Sequence, residues 1–199
     1  MAENMQTIKP LEQDEPQRQE AQKDPECTAS TSRVDRAEQL FRQGYSCSST
    51  VFAAFADTIG MTTEQAAKVA CPFGAGIAGI REVCGAVSGM TMLAGYLLEC
   101  PDSSNQAHKK AMYAKVKAMC DDFEETEGSL ICRELLGLKK GESLAEPAVR
   151  TEEYYSSRPC LRACRRAAQL VEQHILRQET EASRAPHPIG GLVSNNVFR

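Results

Sequence analysis

Between residues 69 and 98 the chain carries only two charges, Arg81 and Glu82, and its longest uncharged run, 83–98, is 16 residues. A stretch this poor in charge has to be buried. Crossing a membrane takes about 20 apolar residues, whereas this run is shorter and is broken by Gly, Ser and Thr. It is better read as a central helix that other helices must cover. With 42 % hydrophobic and 25 % charged residues over 199 positions, the rest of the chain can supply that cover within one domain.

The covering pattern is helical throughout. Residues 33–43 predict a short amphipathic helix closed by Gly44. Ser46 can cap a second helix whose Val51, Phe52, Phe55 and Ile59 share a face, with Gly60 as its stop. Thr62 and Gln65 have the spacing of a capping box, and Pro72 should end that helix. Residues 84–99 form the most apolar helix. Ser104 can cap a long one with Met112, Val116, Met119, Cys120 and Phe123 at helical spacing. A short helix is expected from Ser129 to Gly137. A last one, 159–178, turns Leu161, Cys164, Ala168, Val171 and Ile175 inward. No alternating strand pattern is present. The expected architecture is therefore all-α: a single helical-bundle-like domain over 33–178, between a disordered acidic tail, 1–32, and a second disordered tail, 179–199.

Charge narrows the partners. Twenty-three Lys and Arg against 27 Asp and Glu give a net charge of −4, which argues against a protein that works by neutralising phosphates. Aromatics are 6 % and Trp is absent, leaving few platforms on which bases could stack. The first 26 residues hold seven acids, three bases and no apolar core, unlike a secretory or transit leader. A cytoplasmic, reducing setting is expected, where cysteines serve metals or redox chemistry more often than structural disulfides.

There are nine cysteines, an odd number that cannot pair fully within one chain. None forms CxxC or CxxCH, so no c-type haem is expected. Four fall at predicted helix starts: Cys47 after Ser46, Cys84 opening the apolar helix, Cys132 three residues after Ser129, and Cys160 after Pro159. Helix starts offer free N–H groups and the positive end of the macrodipole, which lower a thiol's pKa and suit nucleophiles or metal ligands. The other five, Cys27, Cys71, Cys100, Cys120 and Cys164, read as tail, helix-end or core residues. The i+4 spacing of Cys164 could also place it beside Cys160.

Cys84-Gly85-Ala86-Val87-Ser88-Gly89 is a CGAxxG motif. It follows Phe73-Gly74-Ala75-Gly76-Ile77 and Gly44-Tyr45-Ser46-Cys47, and precedes Cys132-Arg133-Glu134-Leu135-Leu136-Gly137 and Cys160. This order resembles the C-GCAxxG-C-C family of redox-active proteins over residues 35–175, its four signature cysteines matching Cys47, Cys84, Cys132 and Cys160. The family label writes the central motif Gly-Cys-Ala, whereas this chain has Cys84-Gly85-Ala86. The resemblance implies a small redox protein. Some relatives carry haem, a role this chain lacks the motif for.

Four thiolates satisfy the ligand count of an iron–sulfur cluster. The leading expectation is a cluster, [2Fe–2S], bound by Cys47, Cys84, Cys132 and Cys160 and used for electron transfer. Thiol–disulfide chemistry is the second reading. A structural four-cysteine zinc site is the third, disfavoured because its ligands would be scattered over the chain rather than paired. Gly85 and Gly89 would either admit backbone near the centre or let helices pack closely. The redox partner is unidentified, and a homodimer is an option because Gly-rich helices could bury apolar area between chains. Two further signals are weaker. Residues 74–79 read GxGxxG with Glu99 beyond, but a dinucleotide site needs a preceding strand, and a helix is expected there. Arg158, Arg162, Arg165 and Arg166 flank Cys160, either as a solvated helix face or as a positive rim that steers an acidic redox partner. His108, His174 and His187 read as incidental.

Overall fold

The structure, a computed structural model, describes residues 32–98, 100, 102–139 and 149–177. The expected tails, 1–32 and 179–199, lie outside these residues except for Ser32, which caps the first helix through its side chain. The described residues are helical and contain no strand. They form α1 (Arg33–Arg42), α2 (Cys47–Ala53), α3 (Thr63–Ala70), the one-turn α4 (Gly74–Ile77), α5 (Gly85–Leu97), α6 (Gln106–Glu127), the one-turn α7 (Cys132–Leu135), α8 (Glu152–Ser157) and α9 (Cys160–Val171). None is long and apolar enough to cross a membrane.

Local chemistry accounts for most boundaries. Ser46 accepts from the Ser49 N–H, and Thr62 and Gln65 close a capping box. As expected, α3 stops at Ala70, just before Pro72. The proline occupies the first turn of a 3₁₀ segment, Cys71–Phe73, where its missing N–H has no partner to lose. The long helix is capped by Asn105, not Ser104, because the Asn side chain reaches the Ala107 and His108 amides. Ser129 accepts from the Ile131 N–H and donates to Glu134, so it braces the turn before α7 and does not cap it. Helix α8, capped by Thr151, was not expected. Its Tyr154 and Tyr155 rings pack on Phe41 with centroids 6.4 and 5.9 Å away.

The core is built on α2, α5 and α9. Residues from Ser48 to Ala56 on α2 and just beyond it are all buried. Three of them are polar, and each hydroxyl finds a carbonyl: Ser48 donates to Ala70, Ser49 to Ala67 and Thr50 to Tyr45. The first two tie α2 to the end of α3. Against α2 lies α5, and its glycines set the separation. A Cβ on Gly89 would stand 2.8 Å from the Ser48 carbonyl oxygen, and one on Gly85 3.1 Å from Cys47 Cβ. Close packing through small residues, one of the two readings given to these glycines, is thus what Gly89 does. Gly85 does it beside a cysteine. Helix α9 covers α1, α2 and α5 with Ala163, Cys164, Ala167, Ala168 and Val171, and widens into a π turn, Glu172–Leu176, that buries Ile175.

These contacts predict opposite outcomes for two glycines on one helix. Gly89→Ala should destabilise the chain by about 1–3 kcal/mol through overpacking. Gly95→Ala, with nothing within 4 Å of its would-be Cβ, should be neutral or stabilising by up to about 1 kcal/mol. Urea unfolding of both variants checks this, and equal effects would show that the α2–α5 contact is not tight.

Candidate thiol site

The four helix-start cysteines stand where the sequence puts them. Cys47, Cys132 and Cys160 are the first residues of α2, α7 and α9, and Cys84 immediately precedes α5. All four line one cavity of about 470 Å³.

Cys84 and Cys132 are brought side by side by a short backbone clamp. The Cys84 N–H donates to the Leu130 carbonyl at 2.8 Å, and the Cys132 N–H donates to the Glu82 carbonyl at 2.7 Å. Between them Val83 and Ile131 form an isolated antiparallel bridge. The clamp is fed by an unusual turn. Ala75, Gly76, Ile77, Ala78, Gly79 and Arg81 all have positive φ, a region that favours glycine and strains other residues. The turn is held by Ala78 N–H to the Pro72 carbonyl and Glu82 N–H to the Gly76 carbonyl. Gly76 is required twice, since its φ is +68° and a Cβ there would meet Cys132 Cβ at 2.7 Å. The GxGxxG run is therefore the rim of a thiol cavity, entered from α3 and a 3₁₀ turn rather than from a strand. Glu99 lies outside the described residues.

Cys47 and Cys160 meet on the other side, where their thiols interact. Cys164 is fully buried behind Cys47 and donates to its carbonyl at 3.7 Å. Cys71, read from sequence as a helix-end residue, lines the same cavity and is exposed. Cys100 and Cys120 are not on its wall, and Cys27 lies outside the described residues. The eight described cysteines are free.

The expectation of lowered thiol pKa values is reversed. Burial raises Cys84 to about 12, against the pull of the Ala86 and Val87 amides in the first turn of α5. Cys132 is raised by burial, with the Arg81 guanidinium opposing. Cys160 is raised by its contact with Cys47 and by burial. For Cys47 the Cys160 contact acts downward, but the Cys164 contact and burial prevail and the thiol is raised. Cys164 is raised by burial. Helix starts offer the thiols a partial positive charge, but taking them out of water disfavours the thiolate by more. The site thus holds neutral thiols at neutral pH, and any metal entering it must displace protons.

Other charges complete the wall. Arg81 is 5 % exposed, and its Nη1 donates to Cys132 Sγ at 3.8 Å. Arg150 donates to the Phe41 and Tyr45 carbonyls and stacks over Phe41 and Tyr154 at 4.4 and 4.7 Å. Arg158 stacks over Tyr154 at 4.7 Å. Only Arg158 of the four arginines near Cys160 faces the cavity. Arg162 pairs with buried Glu127, Arg165 with Glu38, and Arg166 donates to Gln169 and the Asp122 carbonyl. Those three brace α9 against α6 and α1, so the positive rim reduces to one of its members. His108 and His174 lie off the cavity wall, and His187 is outside the described residues. Sequence reading missed Arg81 and Arg150 as site residues, and Tyr154 with them. The signals were present in part: Arg81 is one of two charges in a 30-residue apolar stretch, and Thr151-Glu152-Glu153 is a helix-start pattern.

The site is thus a cavity in a helical domain lined by four helix-start thiols. The sequence model of the family described as "putative redox-active protein (C_GCAxxG_C_C)" matches residues 45–174. The chain belongs to that family. No curated protein and no solved structure matches it.

The raised Cys84 thiol predicts how stability depends on pH. The unfolded chain loses this proton near the ordinary value of 9.0 and the folded chain near 12. The folded state therefore holds more protons between those values, and the stability it confers is complete below about pH 9 and lost as pH rises through 12. Within that window each pH unit removes about 1.4 kcal/mol per such thiol. Urea unfolding at pH 8 and pH 10 in reductant should show the loss, with a shallower decline in Cys84→Ala. Identical slopes would mean that Cys84 does not retain its proton.

Proposed function

We propose that Cys47, Cys84, Cys132 and Cys160 bind an iron–sulfur cluster, [2Fe–2S], and that the protein is an electron-transfer component. The observation that carries this reading is the convergence of four thiols, from four separate helix starts, on one cavity wall. Among the described residues no group of three or more Cys, His, Asp or Glu is gathered so that it could hold a metal ion. A mononuclear zinc site needs its sulfurs about 2.3 Å from a single point. A cluster places its four thiolates around several atoms rather than one. The buried Arg81 beside Cys132 fits the same reading, because four thiolates around a cluster leave net negative charge.

A bound cluster would supply a one-electron couple. The chain's own residues would do the rest. The Cys84–Leu130 and Cys132–Glu82 hydrogen bonds hold two ligands at fixed spacing. Gly85 lets the start of α5 approach Cys47. The Ala86 and Val87 amides face the Cys84 sulfur, where hydrogen bonds raise a cluster's potential. A cytoplasmic, reducing setting suits a chain that keeps its thiols available as ligands.

Anaerobic purification with iron and acid-labile sulfide analysis tests this. The expected outcome is a coloured protein with about two irons per chain, bleached by Ser at any of the four positions and retained in Cys120→Ser. A colourless, metal-free chain after attempted reconstitution would overturn it.

The contact between Cys47 and Cys160 favours a second reading, a dithiol–disulfide couple. Both thiols would lose a proton and together give two electrons to an oxidant such as glutathione disulfide, forming one S–S bond. Peptide mapping of the metal-free chain after that treatment should recover a Cys47–Cys160 cross-link. Full alkylation of both residues would dispose of this reading.

A further inference from the structure

The cavity is larger and more positive than its thiols require. A four-atom cluster core would leave much of about 470 Å³ open, a volume in the range of small-molecule sites. Among the described residues its wall carries three arginines, Arg81, Arg150 and Arg158, and no acid, lysine or histidine. Arg150 is engaged by two carbonyls and two rings. The other two meet no acid among the described residues, and the polar contact of Arg81 is from its Nη1 to Cys132 Sγ. Arg81 is nine-tenths buried, its Nε has no hydrogen-bond partner, and no acid pairs with it among the described residues. Glu82, next to it in sequence, pairs with Arg133 instead. Arg158 makes a ring contact but no ion pair or hydrogen bond among the described residues. A buried guanidinium without a counter-charge is unfavourable. The chain nonetheless holds Arg81 there at φ +68°, with its carbonyl tied to the Arg133 N–H.

We infer that the cavity is also a binding site for a small carboxylate or other oxyanion, anchored by Arg81 and completed by Arg158 at the side formed by α8 and α9. The guanidinium fork matches the paired oxygens of such groups. The apolar remainder of the wall, Ala75, Ala78, Leu135, Leu136 and Ala163, would take an uncharged body. The ligand would lie against the thiols, so the cavity would combine recognition of an anion with the redox centre proposed above. The anion site uses the same cavity but does not depend on the cluster.

The test uses the full-length, reduced, metal-free chain. It is titrated with succinate, inorganic phosphate and sulfate by calorimetry and thermal melts, against chloride at matched ionic strength. The expected result is saturable binding and a raised melting temperature with at least one of the three. The one that binds tells carboxylate from tetrahedral oxyanion. Arg81→Gln should weaken that binding by about tenfold or more, the scale of a lost charge-assisted hydrogen bond. Arg158→Gln should weaken it measurably, and Arg166→Gln, which lies off the wall, should leave it unchanged. If Arg81→Gln does not fold by circular dichroism, Arg81→Lys and Arg158→Gln carry the comparison. No saturable response beyond chloride, or affinities unchanged in the folded Arg81 and Arg158 variants, would overturn the inference. Because no metal is present, a chain that binds a cluster but ignores all three anions sinks this inference alone. One that binds an anion but never a cluster sinks only the cluster.

Discussion

The approach of α2 to α5 is the constraint on which the rest of the structure depends. Helix α2 has no exposed face to spare, and its Ser48 and Ser49 hydroxyls are satisfied because the end of α3 supplies the carbonyls of Ala70 and Ala67. Gly85 and Gly89 let α5 come within backbone contact of it. That contact delivers Cys47 and the start of α5 to the same place. Removing the room at either glycine would separate two of the four thiols as well as loosen the core.

A second constraint fixes the remaining geometry. The left-handed turn of residues 75–81 is costly for alanine, isoleucine and arginine, yet it is held by main-chain hydrogen bonds and by the Val83–Ile131 bridge. The result is a pair of cysteines, Cys84 and Cys132, joined through backbone rather than through side chains. Their placement is set by those main-chain hydrogen bonds. Opposite them, half-buried Cys47 and Cys160 and buried Cys164 form a group in which the sulfurs themselves interact. The two halves of the site differ in kind: one is positioned by the backbone, the other by the packing of α9 on α2.

Electrostatics then run against the simple rule for cysteines at helix starts. Burial raises Cys84 despite the first-turn amides of α5 and raises Cys132 despite Arg81, while Cys160 is raised by its contact with Cys47 and then by burial. Among the described residues the cavity wall thus combines neutral thiols with three arginines and no carboxylate. Its residues explain why Arg81 tolerates burial better beside Cys132 than it would in a wholly apolar core.

Much of this was legible in the sequence, and for local reasons. Helix starts are announced by residues a few positions apart, so Ser46, Thr62 with Gln65, and the stretch leading to Cys160 could be placed from the chain alone. The burial of 83–98 followed from its lack of charge, and the family followed from the order of its motifs. What only the tertiary structure decided depends on residues far apart. Asn105 displaced Ser104 as a cap by one residue, within the softness of any local signal. Helix α8 carries a local start signal at Thr151, but its six residues pack on Phe41, which lies more than a hundred positions away. Arg162, Arg165 and Arg166 could not be told from Arg158 until their partners on α6 and α1 were seen. The inclusion of Cys71 in the cavity, the placement of Cys164 behind Cys47, and the raised thiols belong to the same class. Spacing along a helix shows where a thiol starts, but burial and neighbours determine its proton, and those are properties of the assembled core.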